Sequence, residues 1–256
     1  MFQKRIVICL DVRDGKTTKG IRFQGNKDIG DPVEMAAEYY RQGVDELVFY
    51  DITASAEKRG IMIDVVKKVA EKIFIPFCVG GGLGCLDDIC RVIDAGAEKV
   101  SLNSQAVKNP KMIEEGAARF GSQCIVLGVD ALKDPAMPNG YRVVINGGRT
   151  PTERDVLEWV QEAERRGAGE VVLNSIDADG TCDGYETGLT RMVAENVGIP
   201  VVASGGAGKP EHLTKVLTEG RADAALIASM VHYGTWTVPQ IKTELAAAGV
   251  PVRQRW

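Results

Sequence analysis

Histidine is scarce in this sequence, and its cysteines form no close pair. The 256 residues include only two histidines, His212 and His232, so a metal site built from several imidazoles is not expected. The six cysteines contain no Cys-x-x-Cys pair and give no sign of a zinc site or a disulfide framework. We expect most of them to be buried thiols. The sequence therefore predicts neither a bound metal nor another cofactor.

Long hydrophobic runs and an excess of positive charge are also missing. The N-terminus has five consecutive apolar residues after its first charges, too few for a signal peptide, and no later run approaches the roughly 18 residues of a membrane span. The 31 basic and 35 acidic side chains give a net charge of −4, which provides no field to attract a nucleic acid. We therefore expect a cytoplasmic protein that binds neither nucleic acid nor a membrane.

What the sequence does contain is a regular alternation of strands and helices. The composition, 45% hydrophobic and 26% charged, is that of an ordinary globular protein. Eight short β-branched runs alternate with amphipathic helical segments, and eight such units in about 250 residues favour a closed (β/α)8 barrel over an open doubly wound sheet. No linker marks a second domain, so we predict a single α/β domain over 1–256. The predicted strands are 5–11, 46–51, 74–80, 99–103, 124–130, 170–175, 200–204 and 224–229.

The two halves of the sequence resemble each other. DELVFYDIT at 45–53 aligns with GEVVLNSID at 169–177, and the same offset aligns a glycine-rich run in each half. A slightly different offset places Asp11 on Asp130. Chance similarity between β-α units is the alternative to a true repeat. We predict two similar half-barrels, roughly 1–120 and 121–256.

Glycine-rich turns follow corresponding strands in the two halves. Glycine allows an anion to approach the backbone closely, and the start of a helix exposes N–H groups that favour negative charge. The alternative is that these glycines only make tight turns. If both turns bind phosphate, they predict a long substrate that is phosphorylated at both ends. The candidate phosphate contacts are Gly82, Asn103 and Ser104 in the first half, and Gly206, Ala228 and Ser229 in the second.

Asp11 and Asp130 end the first and fifth strands, which lie opposite each other in an eight-stranded barrel. Two carboxylates facing across a pocket can divide proton transfer between a general acid and a general base when their environments separate their pKa values. We predict that they are the catalytic pair, with helix capping as the alternative. Further substrate contacts are predicted at the end of the sixth strand, from Asn174, Asp179 and Gly180.

Two irregular insertions, 12–30 and 131–150, follow the strands that end in these aspartates. The first is polar and contains glycines, so we expect a mobile loop that folds over the site as a lid. Lys19 in this loop would then meet a phosphate or a developing charge. A solvated loop lysine is the alternative.

Charged residues occupy the opposite ends of four strands. Because side chains alternate faces along a strand, an inward Asp11 implies an inward Arg5. Two cations and two anions pointing inward would neutralise one another, which limits the cost of burying charge. We predict a ring that gates a passage along the barrel axis, with solvated surface charges as the alternative. Its members are Arg5, Glu46, Lys99 and Glu170.

Together these residues resemble the cyclase subunit of imidazole glycerol phosphate synthase, an enzyme of histidine biosynthesis, along essentially the whole chain. The resemblance implies a lyase in which ammonia attacks a bisphosphorylated formimino-aminoimidazole-carboxamide ribonucleotide. The products would be imidazole glycerol phosphate and aminoimidazole carboxamide ribotide. The motifs that carry the resemblance, in the family's order, are KRIVICLDVRDGKTTKG, DIGDPVEMA, DELVFYDITAS, VGGG, FGSQCIV, GGRTPT, DADGT and ASGGAG.

The resemblance also implies roles for the residues selected above. Asp11 and Asp130 match the family's acid/base pair, Lys19 matches its loop lysine, and the glycine turns match its phosphate contacts. The charge ring matches the gate at the ammonia entrance, beside the docking face of a glutaminase subunit in a heterodimer. Two positions depart from the pattern: Gly84 stands where arginine is common, and Glu98 where aspartate is usual.

Three other functions remain open at this level. The isomerase of the same pathway has a related half-barrel design and a related bisphosphate substrate, but it needs no ammonia inlet. A paralogue passing ammonia to another acceptor, such as a surface sugar, is compatible with Gly84. A non-catalytic barrel that only activates a glutaminase would leave the aspartates and the glycine turns without a role.

Overall fold

The computed structural model describes residues 2–21, 24–52 and 62–254, and gives only the backbone for the described residues between 19 and 27. Eight parallel strands pair with their neighbours, and the last pairs with the first, so the sheet closes into the predicted (β/α)8 barrel. In chain order the barrel strands are β1 (Arg5–Arg13), β2 (Glu46–Asp51), β3 (Phe77–Gly80), β4 (Lys99–Leu102), β5 (Ile125–Lys133), β6 (Glu170–Ser175), β7 (Val201–Ser204) and β8 (Ala224–Ile227).

Helices follow the strands and cover the outside of the barrel. Short helices, Ser104–Lys108 and Ser229–His232, come directly after β4 and β8. Among the helices described, none has the length and hydrophobicity that crossing a membrane requires. The longer helices are α1 (Pro32–Arg41), α2 (Ile63–Ala70), α3 (Leu86–Asp94), α4 (Lys111–Phe120), α5 (Val156–Arg165), α6 (Thr187–Ala194), α7 (Pro210–Thr218) and α8 (Val238–Ala247).

Strand alternation divides the apolar side chains into two cores. On β1, Ile6, Ile8 and Leu10 face outward and join a large core between the sheet and the helices. Val7 and Cys9 face the barrel interior, where they belong to a smaller inner core. This inner core fills much of the middle of the barrel, and the charged groups predicted on its axis belong to strand residues at the two ends. Its buried members are Val7, Cys9, Val48, Cys78, Val126, Val172, Val202, Ala224 and Leu226.

Both insertions form β-hairpins, so the expectation of an irregular loop at 12–30 is wrong. Lys16–Ile21 pairs antiparallel with the end of β1 and with Gln24–Gly30. The turn between β1 and the hairpin is Asp14-Gly15, and both residues have positive φ. Asp-Gly is a preferred pair for such tight turns, so the signal was present in the sequence. The second hairpin, Tyr141–Ile145 with Thr150–Asp155, extends β5 in the same way.

The expectation that most cysteines are buried is also wrong. Cys9 and Cys78 lie on barrel strands and are buried, but Cys85 and Cys182 are exposed and the other two are half-buried. Cys85 precedes the first residue of α3, and Cys182 lies in a turn with a φ of 61°. The side chains of Cys85 and Cys182, in turns that connect strands and helices, do not pack against the hydrophobic core, so these cysteines remain exposed.

Asp31 and Asp155 both cap helices, but Asp155 accepts more hydrogen bonds than Asp31. Asp31 accepts hydrogen bonds from the backbone N–H groups of Val33 and Glu34 at the start of α1. Asp155 caps α5 in the same way, is 2% exposed, and also accepts two bonds at 2.9 Å from Asn139 in the preceding insertion.

We expect Asp31→Ala to lower the free energy of unfolding by about 1 kcal/mol, as for a typical cap. Asp155→Ala should cost more, about 2 kcal/mol, because it also leaves two partly buried donors of Asn139 without their acceptor. Denaturant unfolding of the two variants measures the difference. Equal losses would show that the bonds between Asp155 and the insertion contribute nothing.

Candidate active site

Asp11 and Asp130 lie at the carboxyl ends of β1 and β5, which are opposite strands of the closed ring. Asp130 is 8% exposed, whereas Asp11 is half-buried. We call the rim of the barrel at these carboxyl ends the mouth. In (β/α)8-barrel enzymes the active site is found at this end.

Two amide side chains hold the carboxylate of Asp130. Asn103 Nδ2 donates to Oδ2 at 2.9 Å, and Asn174 Nδ2 donates to Oδ1 at 3.0 Å. The hydroxyl of Ser204 donates to Asn174 Oδ1 at 3.1 Å, which orients the Asn174 amide toward Asp130. Burial raises the pKa of Asp130 above its ordinary value, although the two amide donors act in the opposite direction.

Asp11 has different neighbours at the corresponding positions. Asn174 is the strand partner of Asp130 in the register of β5 and β6, and Tyr50 is the partner of Asp11 in the register of β1 and β2. Asn103 follows β4, and Ala228 follows β8 at the equivalent position of the other half. Asp11 instead accepts a bond from the Cys9 thiol at 3.2 Å. The two carboxylates therefore occupy corresponding strand positions but have unlike surroundings.

The glycine turns of the two halves have matching backbone geometry. Gly81 and Gly82 have φ values of 86° and 71°, and Gly205 and Gly206 have values of 90° and 99°. A Cβ atom on Gly81 would lie 2.1 Å from the carbonyl oxygen of Asp51. Glycine is therefore required in these turns for both space and conformation.

The short helices beside these turns also begin alike. Asn103 (φ −124°, ψ −98°) and Ala228 (φ −144°, ψ −79°) precede them in closely similar conformations. The Ser104 hydroxyl accepts a bond from the backbone N–H of Asn146 at 2.8 Å, so the tip of the second hairpin contacts the first-half turn. Among the described residues, the Ser104 hydroxyl is seen only as an acceptor.

Other predicted site residues lie at the same end of the barrel. Asp179 follows β6, its negative charge acts on Asp130, and Gly180 beside it has a φ of 74°. The backbone of Lys19 lies in the first hairpin, but its side chain is outside the described part of the structure. Gly84, which follows β3, donates its N–H to Asp88. Glu98 lies at the opposite end of the barrel, just before β4, where it accepts the N–H of Phe77 at 2.9 Å.

At the opposite end of the barrel, four charged side chains meet in what we call the charge ring: Arg5, Glu46, Lys99 and Glu170. Lys99 Nζ donates to Glu46 Oε1 at 2.8 Å and to Glu170 Oε2 at 2.6 Å. Arg5 also pairs with both carboxylates, and its contact with Glu46 measures 2.5 Å. Each anion thus bridges both cations, as strand alternation predicts, and the ring has no net charge.

Burial and ion pairing have opposite effects on the pKa of Lys99 in this ring. Burial alone would lower the pKa of Lys99, but the two nearby glutamates outweigh it and raise the pKa. The glutamate side chains are 5% and 6% exposed, so their charges depend on the cations rather than on water. Between the ring and the mouth lie the inner core and one polar pair, the hydroxyls of Tyr50 and Ser101 at 3.3 Å.

The sequence predicts substrate contacts at Asn103 and Asn174 but does not show that both amides bind Asp130. Strand alternation could have indicated it, because Asn103 and Asn174 face inward on the two strands that flank β5. Tyr50 and Ser204 were not selected at all. His232, which bonds to the Cys9 carbonyl at 2.8 Å and to the Tyr39 hydroxyl at 2.7 Å, was considered only as a possible metal ligand.

The fold and the position of the site define a (β/α)8-barrel enzyme whose candidate active site lies at the mouth. Comparison with known proteins is consistent with this class. A family described as "Histidine biosynthesis protein" matches residues 5–237. A relative in Desulfatibacillum aliphaticivorans, named imidazole glycerol phosphate synthase subunit HisF, is 64% identical over 100% of this chain and 99% of its own length.

Relatives with the same name in Desulfosudis oleivorans and Syntrophobacter fumaroxidans are each 63% identical over the full length of both chains. The chain belongs to the family of imidazole glycerol phosphate synthase HisF subunits, the cyclase subunits of this lyase of histidine biosynthesis.

The neutrality of the charge ring can be tested by removing charges singly and in pairs. Lys99→Met leaves two buried carboxylates facing one cation, and we expect it to lower the free energy of unfolding by about 3 kcal/mol. Adding Glu46→Gln restores a balanced pair, so the double variant should recover at least half of this loss. A double-mutant cycle from denaturant unfolding measures the coupling. Simple additivity of the two single losses would contradict the ring.

Proposed function

We propose that the chain converts a bisphosphorylated formimino-aminoimidazole-carboxamide ribonucleotide and ammonia into imidazole glycerol phosphate and aminoimidazole carboxamide ribotide. The observation that carries the proposal is the placement of Asp11 and Asp130 on opposite strands at the mouth, beside two glycine turns of matching geometry. A substrate with a phosphate at each end would span the two turns, and its reacting centre would lie between the aspartates.

The two aspartates divide the proton transfers. Asp130 takes a proton from the attacking nitrogen, because its two amide donors favour the ionised carboxylate while burial raises its pKa and makes it a stronger base. Asp11 supplies a proton to a departing group from the other side of the pocket. The different neighbours of the two carboxylates support this separation.

Phosphate binding is assigned to the glycine turns and to the starts of the short helices. Gly82, Asn103 and Ser104 would contact one phosphate, and Gly206, Ala228 and Ser229 the other. Asn174, Asp179, Gly180 and Lys19 would contact the substrate between or above the phosphates. The matching backbone of the two turns supports an origin from two half-barrels, roughly 1–120 and 121–256, within a single domain.

The charge ring is proposed as the entry gate for ammonia, which a glutaminase subunit docked over that end would supply. The relatives are named as subunits, which supports a complex with another chain. The ring lies on the barrel axis at the end away from Asp11 and Asp130. A cytoplasmic location is part of the same proposal.

Removing either carboxylate charge tests the acid/base pair. We expect Asp11→Asn and Asp130→Asn each to lower turnover with ammonium salts at least 100-fold, because a positioned proton-transfer group contributes roughly 10²–10⁴. The assay follows formation of the imidazole product from the formimino bisphosphate. Asp94→Asn, an exposed carboxylate at the end of α3, is the control and should retain full turnover.

Unchanged turnover in both active-site variants would remove the catalytic assignment. Circular dichroism and thermal unfolding of the same proteins establish that the barrel is intact.

A second experiment tests the gate in the complex with the glutaminase subunit. Lys99→Ala opens the charge ring, so we expect at least a fivefold greater loss of glutamine-dependent than of ammonia-dependent turnover. Lys111→Ala, at the start of α4 and therefore near the mouth, should affect neither rate. Equal losses of both rates in Lys99→Ala would count against a conduit through the ring.

A further inference from the structure

One histidine connects three elements of the fold at the mouth. His232 is the last residue of the short helix that follows β8. Its Nε2 atom lies 2.8 Å from the carbonyl oxygen of Cys9 on β1, and its Nδ1 atom lies 2.7 Å from the hydroxyl oxygen of Tyr39 on α1. The short helix is therefore attached through a single imidazole ring to both β1 and α1.

The partners of His232 determine where its hydrogen lies. A carbonyl oxygen only accepts hydrogen bonds, so Nε2 carries a hydrogen and donates it to Cys9. A neutral imidazole has one N–H, so Nδ1 accepts the hydroxyl hydrogen of Tyr39. Tyr39 is 6% exposed, and burial raises its pKa to about 12, so the hydroxyl keeps the hydrogen that it donates. The two hydrogen bonds together fix the orientation of the ring.

The bond to Cys9 connects β1 and the short helix beyond the point where the β1–β8 ladder ends. The register of these two strands stops one residue before Cys9 and Ala228. Cys9 also donates its thiol hydrogen to Asp11 Oδ1 at 3.2 Å. Cys9 thus contacts His232 through its carbonyl oxygen and the carboxylate of Asp11 through its side chain.

The first half of the barrel has no counterpart of this connection. By its position in the short helix, His232 corresponds to Val107. By its position after the helix cap, Tyr39 of α1 corresponds to Ala163 of α5. The first short helix is contacted instead by the second hairpin, through the backbone N–H of Asn146. Because one half forms its short helix with apolar residues at both positions, the barrel itself does not require the pair of His232 and Tyr39.

We propose that His232 is a positioning residue that holds the start of its short helix, Ala228 and Ser229, in place relative to Asp11. The hydrogen bonds of His232 fix the backbone that would contact one phosphate of the substrate with respect to the carboxylate that would protonate the departing group. Such positioning matters because a small displacement of a bound substrate from its reacting groups lowers the rate strongly. This inference rests on the proposed function, since it concerns how one of the two proposed phosphate contacts is held.

The test follows binding of inorganic phosphate by NMR, using the backbone N–H signals of Ser104 and Ser229 in nitrogen-15-labelled protein. His232→Leu keeps a side chain of similar size without either hydrogen bond. We expect the dissociation constant reported by Ser229 to rise about tenfold, as for the loss of one to two hydrogen bonds, and that reported by Ser104 to stay within twofold. His232→Gln keeps a terminal N–H donor, so it should bind phosphate at Ser229 at least threefold more tightly than His232→Leu.

Tyr39→Phe tests the second bond of the ring. It removes the hydroxyl that donates to His232 and leaves the bond to Cys9, so we expect a smaller rise at Ser229, about threefold. Tyr40→Phe is the matched control, because Tyr40 follows directly in α1 but packs edge-on against Phe74. It should change phosphate binding at neither serine.

Steady-state kinetics with ammonium chloride provides a second readout. His232→Leu should raise the KM for the formimino bisphosphate about tenfold and leave the KM for ammonium chloride within twofold. A merely structural role would lower the amount of active protein and leave both KM values unchanged. Unfolding midpoints of the variants measure any loss of fold directly.

Three results would overturn the inference: unchanged phosphate binding at Ser229 in His232→Leu, equal losses at Ser104 and Ser229, or equal losses in His232→Gln and His232→Leu. If phosphate shifts both signals in the unaltered protein and any of these results is found, the positioning role fails while the proposed function stands. If phosphate shifts neither signal in the unaltered protein, the proposed phosphate contacts fail, and the role of His232 fails with them.

Discussion

Charge buried inside the barrel is the constraint on which the rest of this structure depends. A carboxylate removed from water is stable only when cations or hydrogen-bond donors replace its hydration. The barrel meets this requirement differently at its two ends. At one end two glutamates share a lysine and an arginine, and at the mouth Asp130 receives two neutral amide donors. The ring is thus neutralised, whereas Asp130 remains a base with a raised pKa.

Small differences between corresponding positions of the two halves give the two aspartates unlike surroundings. Asp11 and Asp130 occupy corresponding positions, and so do Tyr50 and Asn174 beside them. An exact repeat would give both carboxylates the same surroundings and the same proton affinity, which does not suit an acid and a base. The amides of Asn103 and Asn174, present in one half alone, break this equivalence. The glycine turns, in contrast, have similar conformations in both halves, as two phosphate groups of a single substrate would require.

Much of this arrangement could be predicted from the sequence, because it follows from periodicity. The eight barrel strands, the opposition of Asp11 and Asp130 and the meeting of the four ring residues all depend on strand order and on the alternation of side chains. The hairpins were missed although Asp14-Gly15 and the Asn146-Gly147 turn carried their signals. In both insertions the turn residues, rather than the polar composition, determine the local structure.

Other features lie beyond a single sequence. The direction of the Asn174 amide depends on the hydroxyl of Ser204, a residue distant in the chain. The exposure of Cys182 depends on the path of a rim turn. The unpartnered oxygen of Asn103 becomes visible only when all neighbouring donors are placed.

The most direct test of this account is the ionisation of Asp130 itself. Carbon-13 labelling of the aspartate carboxyl groups, with Asp130→Asn to assign the signal, allows NMR titration of this one residue in the folded protein. The account predicts a midpoint clearly above the ordinary aspartate value of about 3.9, with a further rise when Asn174 is replaced by alanine. A midpoint at or below the ordinary value, unaffected by Asn174, would contradict it.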